Sequence, residues 1–249
     1  MVADEGPVAV MGEVFRAMDL PARDGIVAVC DHASNRVPPG IDLGIDPGLL
    51  EKHIGWDIGA AGVVERLAED HGISGFLAEV SRLVMDLHRE EDSPGLIPAI
   101  SDGHAIPGNA DVDREARLQR FYRPYHEAMD DWLSRAEPRL ILAIHSFTPA
   151  LESGAPAERP WHVGLLYNED ARAARHAIRI LTDMGWIVGD NEPYSGRLLN
   201  ATMNRHAEAH GRPYCAIEIR NDLIADGTGQ AKWAAIIAQM AREVVVALG

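Results

Sequence analysis

Short apolar runs and amphipathic stretches alternate along the second half of the chain. Runs of Ile, Val, Leu, Ala and Cys are typical of strands buried on both faces, whereas apolar residues at every third or fourth position are typical of helices. The predicted strands cover 140–144, 161–167, 186–188 and 215–219, and the predicted helices cover 170–184, 198–210 and 230–248. This alternation favours a largely parallel sheet covered on both faces, so the predicted fold class is α/β.

The first half is less regular, but the same two patterns recur. Residues 1–24 are predicted to form an irregular N-terminal arm, and the β-branched run at 26–29 a buried strand. Asp57 suits the N-cap of a helix that begins near Trp56 and stops at Gly72. The other predicted elements are strands at 76–80 and 83–87, a long loop at 94–110, and a helix at 111–137 that is kinked or split at Pro124.

Three of the predicted strands end in, or contain, titratable side chains. His32 follows the strand at 26–29, His145 follows the strand at 140–144, and Glu218 lies within the strand at 215–219. A parallel sheet brings the carboxyl ends of its strands to one edge, where open α/β sheets bind their ligands. Two imidazoles and a carboxylate at one edge suit a catalytic metal ion, which needs an open coordination position and a nearby general base. The alternative is a set of separate strand-end histidines that form ordinary hydrogen bonds.

Arginines recur next to small polar residues, in predicted turns and at strand ends. A guanidinium group can donate two parallel hydrogen bonds to a carboxylate, so these positions are candidates for binding a small anion. The alternative is internal pairing, for which Asp86 and Asp222 are available. The arginines are Arg82, Arg89, Arg197 and Arg220, and Tyr194 lies close to Arg197 in the same turn.

Composition narrows the class of partner. Acidic residues outnumber Lys and Arg by 38 to 23, which gives a formal net charge of -15, and no basic cluster offsets it. Nucleic acid and anionic membranes are therefore not expected as partners, and the expected partner is a small molecule. The acidic N-terminus and the lack of a long apolar run predict a cytoplasmic protein. The 249 residues are predicted to form a single domain over 1–249, with a homo-oligomer left open.

The two cysteines, Cys30 and Cys215, lie in apolar strand-like runs and are predicted to be buried thiols rather than a disulfide. One functional hypothesis is a cysteine amidase that uses Cys30 as its nucleophile together with the nearby His32. The chain has no G-x-S-x-G element and no glycine-rich phosphate loop ahead of a helix, so serine hydrolases and nucleotide-binding proteins lack support.

Several motifs together resemble the N-formylglutamate amidohydrolase family. In chain order they are CDHASNRVP, GWDIGA, SRLVMDLHR, SDGHAIPGN, AIHSFTP, RPWHVGLLY, VGDNEPYSG and IEIRNDLI. The resemblance extends over about residues 25–245. It implies a three-layer α/β/α hydrolase with a mostly parallel mixed sheet, similar to zinc carboxypeptidases and aspartoacylases and of the phosphorylase/hydrolase-like type.

The resemblance also implies roles for individual residues. By this resemblance His32 and His145 match metal ligands, Glu218 matches the general base, and Arg89 matches the group that binds a substrate carboxylate. Two positions depart from the pattern, because Asn35 stands where the related enzymes have a ligating Glu and His88 stands where they have an Asn. Asp57 is the predicted substitute for the third ligand. Substrate-binding roles are expected for Arg82, His88, Asn35, Tyr194, Arg197 and Arg220.

Two functional hypotheses follow. The first is a hydrolase that uses Zn²⁺ or another divalent metal to cleave the N-formyl or another N-acyl amide of a small acidic amino acid. With N-formylglutamate as substrate, the products would be formate and glutamate. The second is a metal-free homologue that binds a carboxylate ligand without catalysis, and Asn35 at the glutamate position is the feature that supports it.

Overall fold

An eight-stranded mixed sheet forms the centre of the molecule. The computed structural model describes residues 8–19, 24–153 and 159–249. Within these residues the strand order across the sheet is β1-β2-β4-β3-β7-β10-β8-β9. The strands are β1 (Val8–Met11), β2 (Phe15–Asp19), β3 (Ile26–Cys30), β4 (Ser74–Ala78), β7 (Leu140–Phe147), β8 (Val163–Leu166), β9 (Val188–Asp190) and β10 (Tyr214–Arg220), and β5 (Ile100–Ser101) and β6 (His104–Ala105) form a separate hairpin.

The four central strands, β4, β3, β7 and β10, are parallel to one another. β2 pairs antiparallel with β4 on one side, and β8 pairs antiparallel with β10 on the other. Parallel strands require crossover connections, and helices supply them here. The carboxyl ends of β3, β7 and β10 therefore meet at one edge of the sheet, as the sequence predicts.

Helices cover both faces of the sheet. Alternate residues of a strand point to opposite faces, and in β7 Leu140, Leu142 and Ile144 join one apolar core while Ile141 and Ala143 join the other. The first core packs against α1, α4 and α6, and the second against α3 and α5. This confirms the predicted three-layer α/β/α architecture. The helices are α1 (Ala60–His71), α2 (Arg114–Arg117), α3 (Arg123–Ala136), α4 (Arg172–Asp183), α5 (Ala201–His206) and α6 (Gly227–Leu248).

The predicted irregular arm at 1–24 is wrong over the part that the structure describes. Residues 8–19 form β1 and β2, which extend the sheet beyond β4. Phe15 of β2 stacks on Phe76 of β4, with ring centroids 4.9 Å apart. On the other face of β2, Arg16 donates to Glu65 and Glu79, and Met18 joins the first apolar core. Residues 1–7 and 20–23 of the arm, and 154–158 of the loop after β7, lie outside the described residues.

The predicted strand at 83–87 is also wrong. This apolar segment is a buried turn, in which the amides of Val84 and Met85 donate to the Ser81 carbonyl. Its own carbonyls accept from side chains instead of a neighbouring strand: Asn109 donates to Leu83 O and Arg117 to Val84 O. Complete burial without strand pairing gives the same apolar pattern as a buried strand, which explains the error.

Two helix predictions have different outcomes. The helix at 111–137 is split as expected, since a π-helical segment at 118–122 separates α2 from α3 and Pro124 lies in the first turn of α3. Asp57 is not an N-cap, because α1 begins after Gly59, whose φ of 82° suits glycine. The Asp57 side chain turns instead toward the carboxyl edge of the sheet. Gly72 ends α1 as predicted.

Among the described residues, no helix has both the length and the apolar character needed to cross a bilayer.

Candidate active site

The three strand-end groups predicted from the sequence meet in one cavity. Glu218 of β10 lies directly opposite His145 of β7 in the parallel register, and both side chains point to the face that carries Ile141 and Ala143. His32 follows β3, the neighbour of β7 on its other side. All three side chains line a cavity of about 360 Å³ at the carboxyl edge of the sheet.

Asp57 lies at the centre of this group. Its Oδ2 atom is 3.3 Å from Nδ1 of His32 and 2.9 Å from Nδ1 of His145. Its Oδ1 atom accepts a hydrogen bond of 3.1 Å from Arg82. Although burial alone raises the pKa of Asp57, the neighbouring His32 and His145 lower it far below its usual value, so the carboxylate is charged.

Each of these two histidines has a second carboxylate behind it. Nε2 of His32 is 2.7 Å from Asp86 Oδ1, and Nε2 of His145 is 3.6 Å from Asp31 Oδ2. Both rings therefore present Nδ1 to Asp57 and Nε2 to another acid. Burial lowers the pKa of His145 less than Asp31 and Asp57 raise it, so the net shift is upward.

This donor set fits a divalent cation. The ligand atoms of His32, Asp57 and His145 all lie within 4.8 Å of one another, and imidazole and carboxylate are ligands that Zn²⁺ accepts. Metal-binding histidines normally direct their other nitrogen at a carboxylate, as Asp86 and Asp31 allow here. Nε2 of His145 has no hydrogen-bond partner in the part of the chain that the structure describes.

A second group of potential ligands shares His145 and adds Asp31 and His88. Asp31 already accepts from the Tyr125 hydroxyl at 2.8 Å, lies 3.0 Å from His88 Nδ1, and does not line the cavity. The set built on Asp57 lines the cavity with all three members, so it is the set that a substrate can reach.

Glu218 has the environment of a general base. Its side chain is buried, and its Oε2 atom has no hydrogen-bond partner among the described residues. Burial, together with the Asp57 carboxylate, raises the pKa of Glu218 to about 7, and the cationic neighbours His145 and Arg82 only partly oppose the shift. A base with a pKa near the working pH is the most effective in proton transfer.

The two arginines nearest the cavity differ in how fully they are paired. Arg82 donates to Asp57 at 3.1 Å and to Asp86 at 2.9 Å, so its charge is committed to the protein. Arg89 approaches Asp86 only through Nε, at 3.5 Å, and 34% of its side chain is exposed. Arg89 therefore remains available to a substrate carboxylate, whereas Arg82 acts by holding the two acids in place.

The remaining predicted binding residues divide into two groups. His88 and Tyr194 line the cavity, and His88 Nδ1 lies 3.0 Å from both Asp31 and Thr202. Three others lie outside it, contrary to the prediction: Asn35 donates to Glu51, Arg220 pairs with Asp222, and Arg197 is exposed. Asn35 therefore has no bearing on the donor set, because Asp57 provides the carboxylate.

Cys30 and Cys215 are free and buried, as predicted. Burial, reinforced by the carboxylates of Asp57 and Asp31, raises the pKa of the Cys30 thiol well above its usual value. The Cys30 side chain belongs to the apolar core on the opposite face of the sheet from the cavity. The cysteine amidase hypothesis is therefore wrong, since a buried neutral thiol is a poor nucleophile.

Sequence reasoning missed Asp31 and Asp86 as partners of the cavity histidines. A signal for Asp31 was present, because it continues the alternation of Val27 and Val29 on the cavity face. Asp86 lies in the buried turn that was taken for a strand, and nothing in its sequence neighbourhood indicates His32 as its partner. Arg159 contacts two residues of the cavity wall, and nothing in its sequence neighbourhood indicates this position.

Comparisons with known proteins identify the family of the chain. The model of the N-formylglutamate amidohydrolase family matches residues 25–225. The structure of the gene product Atu2144 from Agrobacterium tumefaciens is similar over 95% of this chain and 96% of its own, with 30% identity and a TM-score of 0.88. No curated protein matches.

The structure of N-formylglutamate amidohydrolase from Ralstonia eutropha JMP134 shares the fold. It aligns over 94% of this chain and 97% of its own, with 21% identity and a TM-score of 0.73. The family match covers β3 to β10 and therefore every strand that contributes to the cavity. The chain belongs to the N-formylglutamate amidohydrolase family.

Proposed function

We propose that this protein is a metal-dependent amidohydrolase that removes the formyl group from an N-formylated acidic amino acid, with N-formylglutamate as the leading substrate. The observation that carries the proposal is the arrangement around Asp57. Two histidines direct Nδ1 at one carboxylate oxygen and Nε2 at a second acid, and an unpartnered Glu218 lies beside them.

His32, Asp57 and His145 would hold the cation, for which Zn²⁺ is the first candidate. When bound, it supplies Lewis acidity to the amide carbonyl and to the attacking water. Asp86 fixes the orientation of the His32 ring, Asp31 lies 3.6 Å from Nε2 of His145, and Arg82 fixes Asp57 and Asp86. These contacts hold the ligands in position before substrate arrives, which reduces the cost of organising the site.

Glu218 performs the proton transfers. Its free oxygen accepts a proton from the water as the water oxygen bonds to the formyl carbon. The same carboxyl group then gives this proton to the amide nitrogen as the carbon–nitrogen bond breaks. Once the carbon–nitrogen bond has broken, Glu218 is again a carboxylate, and the products are formate and the free amino acid, whose amino group takes up the second proton of the water.

Arg89 orients the substrate. Its guanidinium group lines the cavity with one long contact to Asp86, so it can pair with the α-carboxylate of an N-formyl amino acid. Pairing at one end of the substrate places the neighbouring formamide over the donor set. Such positioning contributes a large share of the rate increase in reactions of bound substrates.

The direct test is a hydrolysis screen. Purified protein is assayed with N-formyl-L-glutamate, N-formyl-L-aspartate and N-acetyl-L-glutamate, before and after removal of metal with a chelator and after Zn²⁺ is added back. We expect hydrolysis of an N-formyl acidic amino acid that is lost with the metal and restored by it. Hydrolysis that persists after complete metal removal would refute the metal-dependent mechanism, and tight carboxylate binding without hydrolysis in every sample would favour the metal-free binding homologue.

A further inference from the structure

Arg159 contacts the wall of the same cavity, on a segment that none of the roles above uses. Its Nη1 atom donates to the Thr148 carbonyl at 3.0 Å and to the Tyr194 hydroxyl at 3.2 Å. The guanidinium carbon also lies 5.2 Å from the centre of the Tyr194 ring, within the range of a cation–π contact. Thr148 and Tyr194 both line the cavity, so Arg159 is held against it at two points.

Arg159 has no acidic partner among the residues that the structure describes. Among the residues that the structure describes, no carboxylate lies within ion-pair distance of it, although the chain has 38 acidic and 23 basic side chains. Arg82 is the opposite case, because two buried acids bind it. Within the described part of the chain, Nη1 is the Arg159 atom that donates hydrogen bonds, so Nε and Nη2 of the guanidinium group are available to a ligand.

The fold places Tyr194, which Arg159 contacts, and Arg89 on opposite sides of the reacting groups. Arg89 lies on the segment that follows β4, next to β3 and His32 in the sheet order. Tyr194 lies beyond β10 on the other side, because the backbone at Glu192 crosses directly over Gly164, the residue opposite Glu218 in β8. A Cβ at Gly164 would lie 2.0 Å from the Glu192 carbonyl oxygen, so only glycine permits this crossing.

Tyr194 connects the arginine to the reacting groups. Burial raises the pKa of its hydroxyl, as does the Glu218 carboxylate, while Arg159 acts in the opposite direction. The Tyr194 hydroxyl therefore stays protonated, and it interacts electrostatically with both Glu218 and Arg159. As it accepts from Arg159, its own proton is free to be donated into the cavity.

We propose that Arg159, positioned by Tyr194, binds the side-chain carboxylate of the substrate while Arg89 binds the α-carboxylate, so that the enzyme selects dicarboxylic N-acyl amino acids. The proposal rests on the proposed function, since it assigns the substrate class of that site. A substrate with a carboxylate at each end would span the cavity with its formamide between the two arginines. A substrate with a neutral side chain of the same shape would leave the guanidinium group of Arg159 without a carboxylate partner in the complex.

The test compares two substrates of the same shape and different charge, N-formyl-L-glutamate and N-formyl-L-glutamine. For Arg159→Gln we expect kcat/KM on N-formylglutamate to fall about 10- to 100-fold, mainly through KM, because charge-assisted hydrogen bonds are lost. The value for N-formylglutamine should change by less than about threefold, as no such bonds are made with it. Arg159→Lys should keep part of the preference, since it keeps the charge without the fork.

Arg197→Gln is the matched control, because Arg197 is an exposed arginine from the adjoining turn that does not line the cavity. It should leave both substrates unaffected, and melting temperatures should show that all variants are folded. An equal loss on both substrates in Arg159→Gln, or an unchanged preference, would overturn the proposal.

A binding measurement separates failure of the subsite from failure of the proposed function. Glutarate, a dicarboxylate without an amide, is titrated into wild type and Arg159→Gln by calorimetry, with butyrate as the monocarboxylate reference. Weaker glutarate binding in the variant, with butyrate binding unchanged, supports the subsite. This holds even when wild type hydrolyses neither formyl compound, because absence of hydrolysis refutes the proposed function and leaves the subsite untouched. Equal glutarate binding by the two proteins would remove the subsite whatever the hydrolysis assay shows.

Discussion

The molecule contains two groups of buried histidines that differ in their partners. The cavity histidines, His32 and His145, each lie between two carboxylates. The second group, the His126–His206 pair, lies between α3 and α5 with its rings stacked 5.2 Å apart. In this pair His126 Nδ1 is 2.9 Å from His206 Nε2, and the nearest carboxylate contact is Asp130, 3.6 Å from His206.

The difference shows that partners, more than burial, decide the charge of a buried imidazole. Burial acts downward on all four pKa values, yet carboxylates raise the pKa of His32 and His145. Carboxylates raise the pKa values of His126 and His206 less than burial lowers them. Burial therefore brings the pKa of His126 to about 3 and that of His206 to about 4, so this pair is neutral. The pair then has a fixed hydrogen-bond direction, since the Leu87 carbonyl that His126 Nε2 contacts at 3.1 Å can only accept.

The largest expected effect comes from removing a cavity histidine. His145→Ala deletes a proposed metal ligand and the partner of two acids, so bound metal should be lost and kcat/KM should fall at least about 1,000-fold. Metal analysis and hydrolysis of N-formylglutamate measure the two effects together. An active His145→Ala protein with its full metal content would show that the cavity histidines are not ligands.

Glu218→Gln should separate chemistry from metal binding. The amide cannot accept the proton of the attacking water, so kcat should fall about 100- to 10,000-fold while the metal content stays that of wild type. The same two measurements apply, with His145→Ala as the contrasting variant. Normal turnover in Glu218→Gln would refute its assignment as the base.

His126→Leu should affect stability more than catalysis. It leaves the Leu87 carbonyl without its donor and removes the partner of His206 Nε2, which should lower the free energy of unfolding by about 1–3 kcal/mol. His126→Gln retains a donor of similar reach and should lose less. Urea denaturation gives the stability change, and kcat/KM should change by less than tenfold, roughly, in either variant. A catalytic loss as large as that of His145→Ala at unchanged stability would contradict the distinction between the two groups.

The difference in charge between the two histidine groups also predicts a pH dependence of stability. The histidines of the unfolded chain take up protons near pH 6.5, whereas the folded pair resists protonation to about pH 4 and about pH 3. The stability contribution of the pair is therefore complete above pH 6.5 and is lost as the pH falls toward 4. The double variant with Gln at positions 126 and 206 should show a slope shallower by about 2–3 kcal/mol per pH unit between pH 6.5 and 4, because each of the two histidines contributes about 1.4 kcal/mol per pH unit. Parallel curves for the two proteins in this window would show that the pair is not neutral.

The convergence of the catalytic groups could be predicted because it follows from local rules. Buried runs ahead of His32 and His145 and around Glu218 identify three strands, and parallel strands bring their carboxyl ends to one edge. The family resemblance then assigned roles to the same residues, and the geometry places them within one cavity. Periodicity and topology therefore account for the catalytic face of the sheet.

The supporting contacts could not be predicted, since they depend on tertiary packing. Asp86 contacts His32 because the segment at 83–87 folds as a turn, whereas the apolar pattern of this segment predicts a strand. Asn35, for which a substrate-binding role was expected, donates to Glu51 instead, whereas Asp57, the predicted third ligand, lies between the two histidines. Arg159 gave no local signal, because its role depends on Tyr194 from a distant segment.

The central claim is that His32, Asp57 and His145 bind one divalent cation, and anomalous X-ray diffraction tests it most directly. Crystals of protein purified without chelator and supplied with Zn²⁺ would be measured on both sides of the zinc absorption edge. The account predicts one anomalous peak about 2 Å from Nδ1 of His32, Nδ1 of His145 and Oδ2 of Asp57. A peak between Asp31 and His88 instead, or no peak in crystals of protein that hydrolyses N-formylglutamate, would contradict it.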